Sequence, residues 1–283
     1  MRYEVLVERR RQAKVSIGVP TFNGAGRLSW LLESLHTART PLEDMALTLI
    51  DDGSTRHGHS AVLEQLAVRY SANLLRHRTN EGVTKSWNDL VRHVDSEISV
   101  LLNDDIVLSP HWLEHLTYFM EHNDCGTVSP DICNCTEADM QKLLHTPPNT
   151  NPDESPKICI AALGCAFGFH RKHYDSVGGF DERVRNTHNE SWLGTAFAAK
   201  LRLPSYILPD RVWHVGSATF RANSGLHDRG DREAFIAHWG AYFEVTSPRH
   251  MKGMPARTVR WLDDQNLPRE QEFHMRWWDT CPD

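Results

Sequence analysis

No run of 18 apolar residues occurs in the 283-residue chain, which excludes a membrane-spanning helix. The opening stretch MRYEVLVERRRQAK carries charge where a secretory leader needs an apolar segment, so secretion is not expected. Cysteine is scarce. The six residues, at 125, 133, 135, 159, 165 and 281, are too few for a disulfide scaffold, and Cys133-x-Cys135 lacks the paired spacing of a zinc knuckle. Reduced thiols and a cytoplasmic location are the expectation. A basic excess is missing too. Lys and Arg number 31 against 37 Asp and Glu, a net charge of −6 with His neutral. That argues against broad binding to a phosphate backbone and leaves room only for a local basic groove. No internal repeat is present.

What is there suits an ordinary globular protein of one large or two small domains, with 40% hydrophobic and 24% charged residues. Residues 15–122 alternate strand and helix. Val15 to Pro20 reads as a strand closed by its proline, and Leu28, Leu31, Leu32 and Leu35 form the stripe of a core-facing helix. Ala46 to Ile50, Asn73 to Arg76 and Ile98 to Leu102 read as further strands. Val62, Leu63, Leu66 and Tyr70 mark one intervening helix, and about Thr84 to Val94 another. Pro110 suits the first turn of the next helix. This order predicts an α/β fold, a mostly parallel sheet with helices on both faces. Residues 145–157, with four prolines, read as an exposed loop. Apolar runs return at Ile158 to Phe169 and Tyr206 to Leu208.

Two strands end in adjacent acids, Ile50-Asp51-Asp52-Gly53-Ser54 and Leu102-Asn103-Asp104-Asp105. Neighbouring carboxylates repel, and a divalent cation with a taste for hard oxygen ligands removes that cost. Ligands of open α/β sheets bind outside the carboxyl ends of the strands. A polar turn after a core strand is the alternative for each. The turn Pro20-Thr21-Phe22-Asn23 can hold a base through backbone groups, or serve as a capped strand-to-helix turn. Lys85 can meet a phosphate beside helix N-terminal amides, or face solvent.

Five segments in this order, Val19-Pro20-Thr21-Phe22-Asn23, Asp51-Asp52-Gly53-Ser54, Asn80-Glu81-Gly82, Asn103-Asp104-Asp105 and Gly178-Gly179-Phe180-Asp181-Glu182 with His214 downstream, resemble the GT-A fold glycosyltransferases of the large inverting family 2. The resemblance runs over residues 14–217. It implies that Asp52 contacts a pyrimidine ring, Asp104 the ribose, and Asp105 a Mn²⁺ or Mg²⁺ ion bridging the diphosphate, with His214 a further metal ligand or a structural histidine. The family pattern has Glu-Asp about eight residues after the Gly-Gly-Phe-Asp-Glu segment, the Asp being the base. This chain departs from it with His188-Asn189-Glu190-Ser191. Glu190 falls on the base position, and His188 is the alternative. Gly164 to Gly168 resembles the small-residue strand on the acceptor side. Trp192 reads as a sugar platform or a core residue.

The implied activity is metal-dependent, inverting transfer from a nucleotide-diphosphate sugar, UDP-linked by preference, to an acceptor hydroxyl. The acceptor class stays open among glycan, protein, small molecule and hydroxylated nucleic-acid base. A sugar nucleotidyltransferase is the second reading, weakened because Gly24-Ala25-Gly26-Arg27 is a poor phosphate loop. A non-catalytic sugar-nucleotide or glycan binder is the third. The expected organisation is an extension at 1–13, one catalytic domain over 14–246 with a nucleotide-sugar half (14–122) and an acceptor half (123–246), and an irregular tail over 247–283 packed on the body.

Overall fold

Strand β2 (Gln12–Thr21) is buried from Val15 to its end, as a central strand covered on both faces must be. It pairs in parallel with β3 (Met45–Asp51) on one side and β5 (Asp95–Leu102) on the other, and β3 pairs in parallel with β4 (Asn73–Arg76). Helices α1 (Ala25–Thr37), α2 (His59–Arg69) and α3 (Val83–His93) form the crossovers. The computed structural model describes residues 3–37, 45–145, 155–159, 161, 163–216 and 230–239, and the backbone of 243–251, 254–261 and 270–273. Leu28, Leu31, Leu32 and Leu35 are fully buried, as their spacing predicts. Val62 is exposed instead, while Leu63, Leu66, Ala67 and Tyr70 join the core.

Short strand β1 (Glu4–Val7) adds antiparallel to β4. Beyond β5 the chain forms β6 (Ile106–Leu108), α4 (Trp112–His122), β7 (Thr127–Asn134), α5 (Glu137–His145) and β8 (Lys157–Cys159). Then come β9 (Ala166–His170), α6 (Arg171–Val177), α7 (Asn189–Ala196) running into a π-helical turn at Phe197–Leu201, β10 (Ser205–His214) and α8 (Gly230–Trp239). Strand β9 lies antiparallel between β5 and β7, and β10 runs parallel to β7, so the sheet is mixed but largely parallel in its first half. The strand sensed at Tyr206 to Leu208 continues through Pro209, where the register with β7 shifts between Leu208 and Arg211. A proline cannot donate to the ladder, so the strand bulges there and resumes. The resumed segment pairs with β6, His214 opposite Ile106.

Two further expectations are corrected. Helix α4 begins at Trp112, after His111 at φ 61°, so Pro110 precedes the first turn. Residues 247–283 are not wholly irregular. Strands β11 (Phe243–Met251), β12 (Met254–Trp261) and β13 (Glu270–Phe273) pair antiparallel, and β13 meets β8 at Glu272 opposite Cys159. Runs such as Thr258-Val259-Arg260-Trp261 are rich in β-branched and aromatic residues, which suits strand backbone. Of the two readings of Trp192, sugar platform and core residue, its burial against Phe235 and Trp239 supports the second. Most of the proline-rich stretch, residues 146–154, and Trp277-Trp278 lie outside the described residues.

The face of the sheet under α3 and α6 is sealed by aromatics. Trp87 sits 5.2 Å from Phe167 and 5.3 Å from Phe180, centroid to centroid, and is 2% exposed. Trp87→Ala is expected to lower unfolding stability by about 3–5 kcal/mol through the cavity it leaves, read by urea denaturation. A loss below about 1 kcal/mol would show that this cluster does not anchor α3.

Candidate active site

The carboxyl ends of β2, β3 and β5 open on one edge of the sheet, and the acid pairs stand there. Asp51 and Asp52 divide the labour of their turn. Asp51 accepts the Ser54 amide (2.9 Å) and the Arg76 guanidinium (3.0 Å). Asp52, 4% exposed, accepts the backbone amides of Glu81 (2.8 Å) and Gly82 (2.9 Å). It also takes His77 Nδ1 at 2.7 Å, while His77 Nε2 reaches Asp89 at 3.1 Å. Burial opposes charge on His77, but the hydrogen bonds to the two carboxylates outweigh it and push its pKa up to about 9. Three of the roughly four acceptor positions of Asp52 are therefore used within the protein. Neither His77 nor Asp89 stood out in the sequence, since each is an ordinary residue at the end of a strand or in a helix.

The turn after β2 is tied to the same loop. Asn23, at φ 55°, accepts the amides of Thr55 and Arg56 through Oδ1, both at 3.0 Å, and donates its own amide to Ser54 Oγ (2.8 Å). Pro20 is buried and Phe22 half-buried beside it. Thr21 donates its hydroxyl to Asp104 Oδ2 at 2.6 Å. A Cβ on Gly24 would lie 1.9 Å from that same oxygen, so glycine is needed for the loop to pass the carboxylate. Lys85 is half-buried and ion-paired with Glu81, which holds the Glu81 carboxyl below its ordinary range.

Asp104 and Asp105 are both buried. Burial first, and then the charge of Asp105, drive Asp104 well above the ordinary carboxylate range. Burial also resists ionisation of Asp105, but His214, whose Nε2 lies 3.1 Å from Oδ1, more than compensates and keeps it low. The β6–β10 pairing delivers His214 to this point. Among the described residues, no three His, Cys, Asp or Glu side chains form a ready-made metal cage. Two carboxylates and an imidazole nonetheless fit a divalent ion of the Mn²⁺ or Mg²⁺ type, which is commonly held by one or two carboxylates with substrate phosphates completing the shell.

Asn103, half-buried, donates its amide to Cys165 O at 2.8 Å, and Gly164 precedes Cys165. A Cβ on Gly164 would stand 2.6 Å from Glu190 Cδ. The Gly164-Cys165 backbone thus contacts both the Asn103 amide and the Glu190 carboxyl. Glu190 keeps part of its surface open to solvent, yet its carboxyl sits deep, and burial pushes its pKa up to about 7. His188, at φ 61°, caps α7, with Nδ1 3.2 Å from Thr187 Oγ1 and its ring 5.6 Å from that of Phe235.

The loop before α7 hangs on Asp231, in the first turn of α8 and 1% exposed. Its carboxylate accepts the amides of Arg185 (2.7 Å), Asn186 (2.7 Å) and Thr187 (2.8 Å). Arg185 in turn donates to Asn80 O (2.8 Å), and its carbonyl accepts the Thr84 amide (3.0 Å). The segment 80–84 and the loop 185–189 are therefore stitched together. Asp231 lies far downstream in a stretch without a motif, so sequence reasoning passed over it. Asp181 pairs with Arg183, and Asn88 accepts the Phe180 amide (3.1 Å), so the Gly-Gly-Phe-Asp-Glu segment holds its loop.

Residues 16–178 match the profile of Glycosyl transferase family 2, more than half of the chain. The chain belongs to glycosyl transferase family 2. Among curated proteins, this family member is 25% identical over 245 residues to the O-antigen biosynthesis protein RfbC of Myxococcus xanthus, covering 79% of the present chain. It spans only about a fifth of that relative's length (19%). Among solved structures it resembles the mannosyltransferase PcManGT of Pyrobaculum calidifontis in complex with GDP-Man and Mn²⁺, at TM-score 0.57 and 17% identity, over 82% of this chain and 63% of that one. It also resembles S. aureus TarS 1–349 in complex with UDP-GlcNAc, at TM-score 0.56 and 17% identity, over 72% and 61%. At these identities the structural likeness establishes the GT-A fold.

The His77 link has a pH signature. Its folded pKa lies above the ordinary value of 6.5, so the stability it contributes is complete below about pH 6.5 and is lost as pH rises through about 9. Unfolding midpoints of wild type should fall across that window, and His77→Ala, expected to cost about 3 kcal/mol or more at neutral pH, should flatten the fall. Parallel pH curves for the two proteins would contradict the assignment.

Proposed function

We propose that the chain transfers a sugar with inversion from a nucleotide-diphosphate sugar to an acceptor hydroxyl, using Mn²⁺ or Mg²⁺. The observation that carries this is the placement of the Glu190 carboxyl, poised near neutral pKa, against the Gly164-Cys165 backbone that also accepts the amide of Asn103, the residue before the buried Asp104-Asp105 pair. In this reading the turn Pro20 to Asn23 and Asp52 hold the base. The acceptor position that Asp52 keeps unused suits the imide N–H of uracil, which favours UDP. Asp104 takes the ribose. Asp105 and His214 would hold the ion, which supplies charge stabilisation to the departing diphosphate when bound. Lys85, beside the N-terminus of α3, is close enough in sequence to Asn80-Glu81-Gly82 to trade Glu81 for a phosphate oxygen.

The base must lose its proton before it can take one from the acceptor hydroxyl. A carboxyl with pKa near 7 is matched to that work, because it is basic enough to accept a proton and still largely ionised above neutrality. His188 is the second choice; its left-handed backbone and contact with Phe235 tie it to the cap of α7. A solved relative of this fold carries UDP-GlcNAc and another GDP-Man, so the fold itself does not set the base. The O-antigen relative supports a glycan among the acceptor classes.

Glu190→Gln is expected to lower kcat by at least 100-fold with donor affinity changed less than about threefold, in a transfer or donor-hydrolysis assay. Wild-type kcat/KM should rise with pH through about 7 as Glu190 ionises. A variant that turns over near the wild-type rate moves the base to another group, His188 first. Donor binding without transfer or hydrolysis by the wild-type protein favours a non-catalytic binder.

A further inference from the structure

The end of the sheet opposite the acid pairs carries a different chemistry. An open cleft of about 650 Å³ lies where β2 and β5 begin, and Arg9, Arg10, Arg11, Arg92, Arg171 and His93 line it. At about 3.3 Å per residue, the ten residues of β2 put this cleft roughly 30 Å from Thr21, too far to belong to the donor site. In a chain of net charge −6, five arginines in one concavity are a local reversal of sign.

Not all five are available. Arg171 spends its guanidinium on the Val91 and Val94 carbonyls and on Asp175. Arg11 pairs with Glu8 at 2.8 Å. Arg92 lies 3.8 Å from Glu182 and 3.9 Å from Asp89, and Asp95 adds a negative charge to the lining. Arg9 and Arg10 remain exposed, and among the described residues neither guanidinium has an ion-pair partner. Their backbone, however, is fixed. Asn73, fully buried, accepts the amides of Arg9 (2.6 Å) and Arg10 (3.1 Å) through Oδ1 and donates Nδ2 to the Arg10 carbonyl (2.8 Å). A buried amide side chain that spends three hydrogen bonds on one turn pre-orders the two arginines above it.

His93 supplies the second observation. It is 2% exposed, and its Nε2 is buried with no hydrogen-bond partner. Its Nδ1 lies 3.3 Å from the Tyr3 hydroxyl. If that hydroxyl donates, the proton of the neutral ring sits on Nε2, an N–H donor without an acceptor on a residue that lines the cleft. A buried unsatisfied donor costs stability unless an acceptor meets it.

We propose that this cleft is a second binding site, for a phosphate-bearing ligand, with Arg9 and Arg10 as the charged grip and His93 as a neutral donor. Guanidinium groups fit phosphate oxygens in pairs, and two of them on one ordered turn can take adjacent oxygens. The ligand is not the sugar donor, because the site stands at the opposite end of the strands. A soluble phosphorylated molecule and a phospholipid headgroup share this chemistry.

The test uses tripolyphosphate, titrated calorimetrically into the full chain with EDTA present, so that the metal-dependent donor site is out of play. Saturable binding is expected, weakened at least tenfold in Arg9→Ala/Arg10→Ala, whose melting temperature should match wild type because both side chains are exposed. His93→Gln, which keeps a donor, should retain more affinity than His93→Leu. Sedimentation with phosphatidylglycerol vesicles, against phosphatidylcholine alone, separates the sources. Pelleting of wild type but not of the double variant identifies a headgroup, and tripolyphosphate binding without pelleting identifies a soluble ligand. Absence of saturable binding to either probe, or equal binding by wild type and the double variant, overturns the proposal.

Discussion

Buried carboxylates that accept backbone amides organise this molecule. Asp52 and Asp231 lie nearly 180 residues apart in sequence, yet each does the same physical job. An ionised carboxylate removed from water must recover its hydrogen bonds, and each of these recovers them from consecutive amides of a loop that would otherwise have little to hold it. Asp52 orders residues 81–82, Asp231 orders 185–187, and the two loops then bond to each other through Arg185 and Asn80. The edge of the sheet where β2, β3 and β5 end is thereby given fixed walls. The helix that carries Glu190 is held separately, by the burial of Trp192, Leu193 and Ala196 in the core.

The two acids on that edge are held in different states. Asp105 is held ionised by His214, and Asp104 is held toward the neutral form by burial and by its neighbour. Such a pair gains most from a ligand that brings positive charge, since a bound cation removes the repulsion and lets Asp104 ionise. The Gly24 approach and the Thr21 hydroxyl fix the orientation of Asp104 so that little rearrangement is needed. Glu190 has the opposite design. Burial raises its basicity, and a hydrogen bond from its own backbone opposes that only in part.

The first half of the fold was legible because its signals are local. A leucine stripe at helical spacing and apolar runs ending in acids say where α1, β3 and β5 lie, and the parallel order follows from crossover handedness. The strand pairings of the second half depend on contacts distant in sequence. Pro209 hides the continuity of β10, and the strands after Phe243 show only ordinary β-prone residues without turn signals of fixed spacing. At the site, Asp52, Asp104, Asp105 and Glu190 stand out in the sequence through their motif context. His77, Asp89 and Asp231 do not, because their importance lies in which amides and rings they meet. Trp192 shows the limit in the other direction, since a sugar-stacking tryptophan and a core tryptophan look alike until burial is known.

The central claim is that the edge formed by β2, β3 and β5 binds a nucleotide-diphosphate sugar together with a divalent cation. The most direct measurement is thermal stabilisation of wild type and Asp105→Asn by a panel of nucleotide sugars and free nucleotides, with and without Mn²⁺. The account predicts a melting-temperature rise of several degrees with one UDP-sugar, present only with Mn²⁺ and absent in Asp105→Asn. No shift with any nucleotide in either metal condition would contradict it, and would make the two acidic strand ends purely structural.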